Sequence, residues 1–343
     1  MKNAMSRALI ETVVRKALED LQDSPERSVR NLVDLALTFA GSRFQQYFFT
    51  TAQAMLKNEG SSYYKLISDM VASVDRNRLV TFGMNLGYNS CSMGAKTIRA
   101  LEEEDGFNIP WAITLVIDGR TCSGRMDTYR SILQQGRELG IFTWQLHSLG
   151  SAENLLPLVE AFPDQAFILS CAPGEITNAM LDEAEPLHNL MFVVQYTAGV
   201  DDACHLLRSR RFLYSVLITY GEADLETILS GELISDAEPL HPVFTAFLAA
   251  PDCPEAIRAQ VYRAIIDARI RQVYKTVPWD AISDSRYVDR IISDDACSAG
   301  FDADGFLCTF QNRLTRQASN IFRQPLRDIL REAFPKQAGK PSN

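Results

Sequence analysis

The chain has 343 residues, 46% of them hydrophobic and 22% charged, with a formal net charge of −9. That length buries one large core or two smaller ones. The acidic balance argues against a nucleic-acid partner bound through a broad basic surface and gives no reason to expect an anionic membrane. No apolar run is long enough to span a bilayer. Seven cysteines, at 91, 122, 171, 204, 253, 297 and 308, form no CxxC pair, and no export signal is read. Reduced thiols in the cytoplasm are therefore expected, and a clustered zinc site is not.

Residues 1–78 read as a helical region. Leu9, Val13, Val14, Ala17 and Leu21 share one face of a first helix, Asp23, Ser24 and Pro25 break the chain, and Val29, Leu32, Val33 and Ala36 begin a second. FQQYFFTTAQAML and YYKLISDMVASV continue the pattern.

From Leu79 short apolar runs alternate with amphipathic stretches. The runs are LVTFGM, WAITLVID, IFTWQLHS, AFILSCAP, LMFVVQYT and FLYSVLITY. Six strand–helix units over residues 79–235 predict an α/β fold with a parallel sheet and right-handed crossovers, either a partial barrel or a doubly wound sheet. After Gly221 the reading is helical again, including PVFTAFLAA and PEAIRAQVYRAIIDARIRQVY. Residues 236–335 form a C-terminal extension in which DACSAGFDADGFLC reads as a hairpin and QPLRDILREAF as a helix, and residues 336–343 read as a flexible tail.

In a parallel α/β sheet, function sits at the C-terminal strand ends. That rule selects Met84, Asn85 and Tyr88, then Asp118, Gly119 and Arg120, then Gln145, His147 and Ser148. Ser170, Cys171, Gln195, Tyr196, Thr219 and Tyr220 follow. On the third run Thr143, Gln145 and His147 share the face expected to point inward, while Phe142, Trp144 and Leu146 point toward covering helices. His147 with Asp118 could act as acid and base. A structural histidine and an Asp-Gly turn are the simpler readings. GxxxxGK[ST] and GxGxxG are both absent.

The order of features resembles the radical S-adenosylmethionine (SAM) proteins that carry a SPASM- or twitch-type extension. The resemblance covers residues 79–334, about three quarters of the chain. In that family the first strand runs into CxxxCxxC, whose thiolates hold a 4Fe–4S cluster. MNLGYNSC aligns with it, placing Met84, Tyr88 and Cys91 at the three cysteine positions with Asn85-Leu86 between the first two. Asp118-Gly119-Arg120-Thr121 stands for the family's GGEP, and Ser148-Leu149-Gly150 for the end of its third strand. CSAGFDADGFLC and SNIFRQPLRDIL stand for its extension.

The resemblance implies a partial (β/α)6 barrel with an N-terminal helical region and a small hairpin-plus-helix extension. One cysteine cannot hold a 4Fe–4S cluster, so it also implies a degenerate member with no metal site and no cofactor. Such a protein would bind a small molecule, a peptide or a protein. A second reading keeps an enzyme at the barrel mouth, with Asp118 and His147 as acid and base and Arg120 holding an anionic substrate. A third keeps SAM and the cluster, with Cys122 or Cys171 joining Cys91. Oligomeric state is not legible in the sequence.

Overall fold

The computed structural model describes residues 2–21, 25–38, 40–293, 295–310 and 312–336. The expected break at Asp23 and Ser24 and most of the expected tail, residues 337–343, lie outside them.

Six helices come first: α1 (Lys2–Asp20), α2 (Pro25–Thr38), α3 (Arg43–Met55), α4 (Tyr63–Ser73), α5 (Arg76–Met84) and α6 (Ala95–Asp105). A π-helical segment, Asn85–Gly94, joins α5 to α6 without a break. The barrel follows as β1 (Ala112–Ile117), α7 (Met126–Glu138), β2 (Thr143–Ser148), α8 (Leu156–Ala161), β3 (Ala166–Cys171), α9 (Asn178–Ala184) and β4 (Leu190–Gln195). It continues as α10 (Val200–Ser209), β5 (Tyr214–Tyr220), α11 (Leu225–Ser230), α12 (Glu232–Ala237), β6 (Phe244–Ala249), α13 (Glu255–Arg271), β7 (Val277–Asp280) and α14 (Ser283–Ser293). The extension is the hairpin β8 (Ala299–Phe301) and β9 (Leu307–Cys308), then α15 (Leu326–Ala333).

The strands make one curled sheet in the order β7-β6-β5-β4-β3-β2-β1-β8-β9. Neighbours from β7 to β8 are parallel, and only β9 runs antiparallel, against β8. This is the expected partial (β/α)6 barrel, with its N-terminal helices and its hairpin-plus-helix extension. Among the described residues no helix is long and apolar enough to cross a membrane.

Two elements differ from the sequence reading. LVTFGM is not a strand but the core of α5, and FTAFLA is not a helix but β6. One run leaves the sheet and another enters it, and β7 adds a further parallel strand beside β6. Both runs are short and apolar throughout, a pattern that buried strands and buried helices share. Asp75 decides the first case, since its Oδ1 accepts from Asn77 N at 2.8 Å and Arg78 N at 3.2 Å and so caps α5.

Beyond its polar first turn, Arg76–Arg78, the helix is largely apolar and is covered on two sides. Val80 and Met84 pack with Leu18, Leu21, Val29, Leu56 and Tyr64 of the helical region, and Tyr88 joins them. Phe82 packs with Val74, Ala166, Met191, Val193, Leu217 and Ala246, which are residues of the barrel's inner face and of the turn before α5. Helix α5 thus fills the hollow of the sheet. Burying a large apolar side chain of this kind contributes roughly 1.5–3 kcal/mol.

On the outer face Ile113, Leu115, Trp144, Leu146, Phe167, Leu169, Phe192 and Val194 form the main core with the surrounding helices. Strands β1, β2 and β3 share one pattern: outward residues are buried, while the upper inward ones are partly open.

Candidate functional site

The candidate residues separate into three places. Met84, Asn85, Tyr88 and Cys91 lie at the N-terminal ends of the strands, opposite the functional face. Asn85 is fully buried, and its Nδ2 donates to the carbonyls of Pro163 and Gln165, each at 2.9 Å, in the turn that leads into β3. Asn89 Nδ2 donates to Asp164 O at 2.8 Å and to Asn85 Oδ1 at 3.0 Å. Thr143, the first residue of β2, donates to Ser90 Oγ at 3.0 Å.

Close backbone approach completes this seat. A Cβ built on Gly94 would lie 2.3 Å from Gly140 O, just before β2. The segment FGMNLGYNSC is therefore not a loop after a strand; it is a helical plug fixed to the closed end of the barrel. Burial pushes the Cys91 thiol up to about 12, away from the thiolate that a metal needs.

The second place is the barrel mouth above β1–β3. The loop that truly follows β1 spans residues 118–125 and carries one cysteine, Cys122. Its Sγ donates to Gly119 O at 3.2 Å, and burial raises its pKa. Gly119 is required for close contact: its N–H donates to Gly150 O at 3.0 Å, and a Cβ there would sit 2.1 Å from Ser151 O.

Asp118 does not reach toward His147 but pairs with Arg120, Nε to Oδ1 at 2.8 Å and Nη2 to Oδ2 at 2.9 Å. The guanidinium holds the Asp118 carboxyl below its ordinary range. Ser148 faces outward and donates to Glu175 Oε1 at 2.8 Å. The same carboxylate accepts from Ala152 N and Ala172 N, so it ties together the loops after β2 and β3.

Gln145, His147, Ser170, Gln195 and Thr219 line the inner face, and the expected alternation on β2 holds. Gln145 Oε1 accepts from Thr114 Oγ1 at 3.0 Å. His147 lies beside Ser170 in the β2–β3 register, and the buried Ser170 Oγ has no partner among the described residues. Burial lowers the His147 pKa, with the Glu175 charge pulling the other way, so the imidazole is neutral near pH 7. Cys171 points outward into the core, where burial raises its pKa. Tyr196 also faces the covering helices, packing between two core clusters.

Of the third place, the sequence reading named Tyr220 alone. Tyr220 ends β5 on the outer face and lines a cavity of about 280 Å³ at the ends of β5, β6 and β7, beneath α13 and α14. Arg258, Arg286, Arg290 and Phe310 also line it. The sequence signal for part of this was the i,i+4 pair Arg286 and Arg290 on an amphipathic helix.

These donors do not fit a 4Fe–4S cluster. Among the described residues no group of three or more His, Cys, Asp or Glu side chains is placed to hold a metal ion. Cys91 lies at one end of the barrel and Cys122 and Cys171 at the other, so these three thiols are not brought together.

No protein-family model and no curated protein matches the chain. Its fold is similar to that of Streptococcus suis SuiB bound to S-adenosylmethionine, with a TM-score of 0.50 and 9% identity over 68% of this chain. That match spans 66% of the SuiB chain. A second SuiB structure gives a TM-score of 0.49 and 11% identity, covering 88% of this chain and 81% of that one. At this identity the likeness concerns the fold alone, a partial barrel of radical-SAM type.

Proposed function

We propose that this chain is a radical-SAM-type barrel without a cluster, working as a binding or accessory protein for a small molecule or a peptide. The observation that carries this reading is the donor set at the mouth. A cluster needs several thiolates within a few ångströms of one another. The loop after β1 offers Cys122 alone, with its thiol hydrogen-bonded to a backbone carbonyl. The placement of Met84, Tyr88 and Cys91 at the closed end supports the same reading.

The acid–base alternative has less support. Arg120 engages Asp118 through both carboxylate oxygens, so neither group is free for a substrate without first breaking that pair. The partly open inner-face groups Gln145, His147 and Gln195 suit recognition by hydrogen bonds: a neutral imidazole, an amide and an unpartnered hydroxyl at Ser170 offer both donors and acceptors. A reducing cytoplasm suits the seven free cysteines.

The test is anaerobic reconstitution of the purified chain with iron and sulfide, followed by reduction and addition of SAM. The expected result is no cluster absorbance and no SAM cleavage. A reducible cluster that cleaves SAM would overturn the proposal.

A further inference from the structure

The cavity under α13 and α14 combines aromatic walls with several cations. Tyr220, Tyr262, Tyr287 and Phe310 supply aromatic walls, and Arg258, Arg286 and Arg290 supply three cations. None of the three arginines forms an ion pair among the described residues, in a chain where most other arginines near carboxylates do. Arg286 lies over the Phe310 ring at 3.8 Å, and Arg258 at 5.7 Å. The guanidiniums are thus held by a ring face rather than by an acid, which leaves their N–H edges available.

Two buried groups on this wall lack partners among the described residues. Tyr220 is 1% exposed and its hydroxyl makes no hydrogen bond to them, and Arg258 Nε is likewise buried and unpaired. Leaving a buried polar group unsatisfied costs about 1–3 kcal/mol, so two on one cavity wall point to something that satisfies them. Arg286 and Arg290 stand one helical turn apart and repel each other, and burial together with Arg290 lowers the Arg286 pKa. Asp289 and Asp295 act on Arg286 in the opposite sense.

Two carboxylates also line the cavity. Asp280 is engaged as the cap of α14, accepting from Ile282 N at 3.2 Å and Ser283 N at 2.5 Å. Glu255 lies in the first turn of α13. The balance is three cations against one carboxylate that is not engaged in capping.

We propose that this cavity is a binding site for a small organic oxyanion, a carboxylate or phosphate monoester on a flat apolar body. Arg258 and Arg286 fork the acid group, the Tyr220 hydroxyl donates to it, and the aromatic walls cover the body. A planar guanidinium matches both oxyanions in a bidentate geometry, which a lysine at either position would not. The volume is that of a small metabolite rather than a nucleotide-sized ligand. The site lies on the helix-covered side of the sheet, at the C-terminal ends of β5, β6 and β7 rather than above β1–β3, and does not depend on whether the chain holds a cluster.

The test is calorimetric titration of the full chain with phenyl phosphate, benzoate and inorganic phosphate, repeated for Tyr220→Phe, Arg258→Gln and Arg286→Gln. Saturable binding of phenyl phosphate or benzoate is expected, with whichever binds identifying the acid group. Inorganic phosphate should bind more weakly, because it leaves the aromatic walls uncovered. Arg258→Gln or Arg286→Gln should weaken binding by about tenfold or more. Tyr220→Phe should weaken it several-fold while leaving the ligand-free melting temperature equal or higher, because the change removes an orphaned hydroxyl. Absence of saturable binding by both organic anions, or equal binding by wild type and all three variants, would overturn the site.

Discussion

The two ends of the barrel use polar side chains in opposite ways. At the closed end Asn85, Asn89 and Arg78 are buried and turned onto backbone carbonyls. Arg78, 1% exposed, donates to Leu187 O at 2.7 Å and Glu185 O at 2.7 Å and stacks on Phe212 at 3.8 Å. At the open end Asp118 and Arg120 satisfy each other in solvent, and His147, Ser170 and Gln195 keep unfilled hydrogen-bonding capacity. The closed-end side chains are mostly satisfied by protein partners, with Arg78 Nε an exception, whereas Ser170 at the mouth has no partner among the described residues. The cluster-like stretch falls on the first side of that division.

Changes at the closed end should therefore act on stability, and changes at the mouth should not. Arg78→Ala carries the largest expected effect, a loss of about 3–4 kcal/mol in urea unfolding, because it strips donors from buried carbonyls and opens a void beside Phe212. A loss much below 1 kcal/mol would mean that α5 is not seated as described.

A second effect is a pH dependence at the same end. Glu102 accepts from Ile109 N at 2.8 Å and Asp289 from Trp111 N at 3.2 Å, in the segment that leads into β1. Burial pushes each carboxyl up to about 7. A carboxyl whose folded pKa is raised binds its proton more tightly in the fold. Its contribution is complete below the unfolded values near 4 and is lost as pH rises toward 7. Each of the two carboxyls should cost the chain on the order of 2–3 kcal/mol between pH 4.5 and 7, and Glu102→Gln should remove about half of that slope. A Glu102→Gln profile parallel to wild type would remove this assignment. The smallest expected effect is at the mouth, where Asp118→Asn should leave the urea midpoint unchanged. A clear drop would show that the loop after β1 supports the fold.

Much of the fold was legible because five parallel strands, β1 to β5, are apolar runs separated by amphipathic helices with clear periodicity. The alternation that places Gln145 and His147 inward follows from strand geometry alone. What was not legible was which short apolar run joins the sheet. Val80 and Met84 face one neighbour and Phe82 the other, so the run Leu79–Met84 shows no clear helical alternation of polar and apolar sides. Its one local signal was the Asp75 cap. Once Leu79–Met84 is taken as a strand, Met84, Tyr88 and Cys91 fall into a cluster register that the helix does not have. The Arg258 and Arg286 cavity was illegible for another reason: α13, α14 and Phe310 meet only through tertiary packing.

The most direct test supplies the two cysteines of the motif that the sequence lacks. Met84→Cys combined with Tyr88→Cys completes CxxxCxxC with Cys91. After anaerobic reconstitution with iron and sulfide, reduction and addition of SAM, electron paramagnetic resonance on this variant should show no 4Fe–4S signal, with helical circular dichroism retained and SAM intact. A reduced cubane signal accompanied by SAM cleavage would place FGMNLGYNSC at the mouth of the barrel and contradict the account.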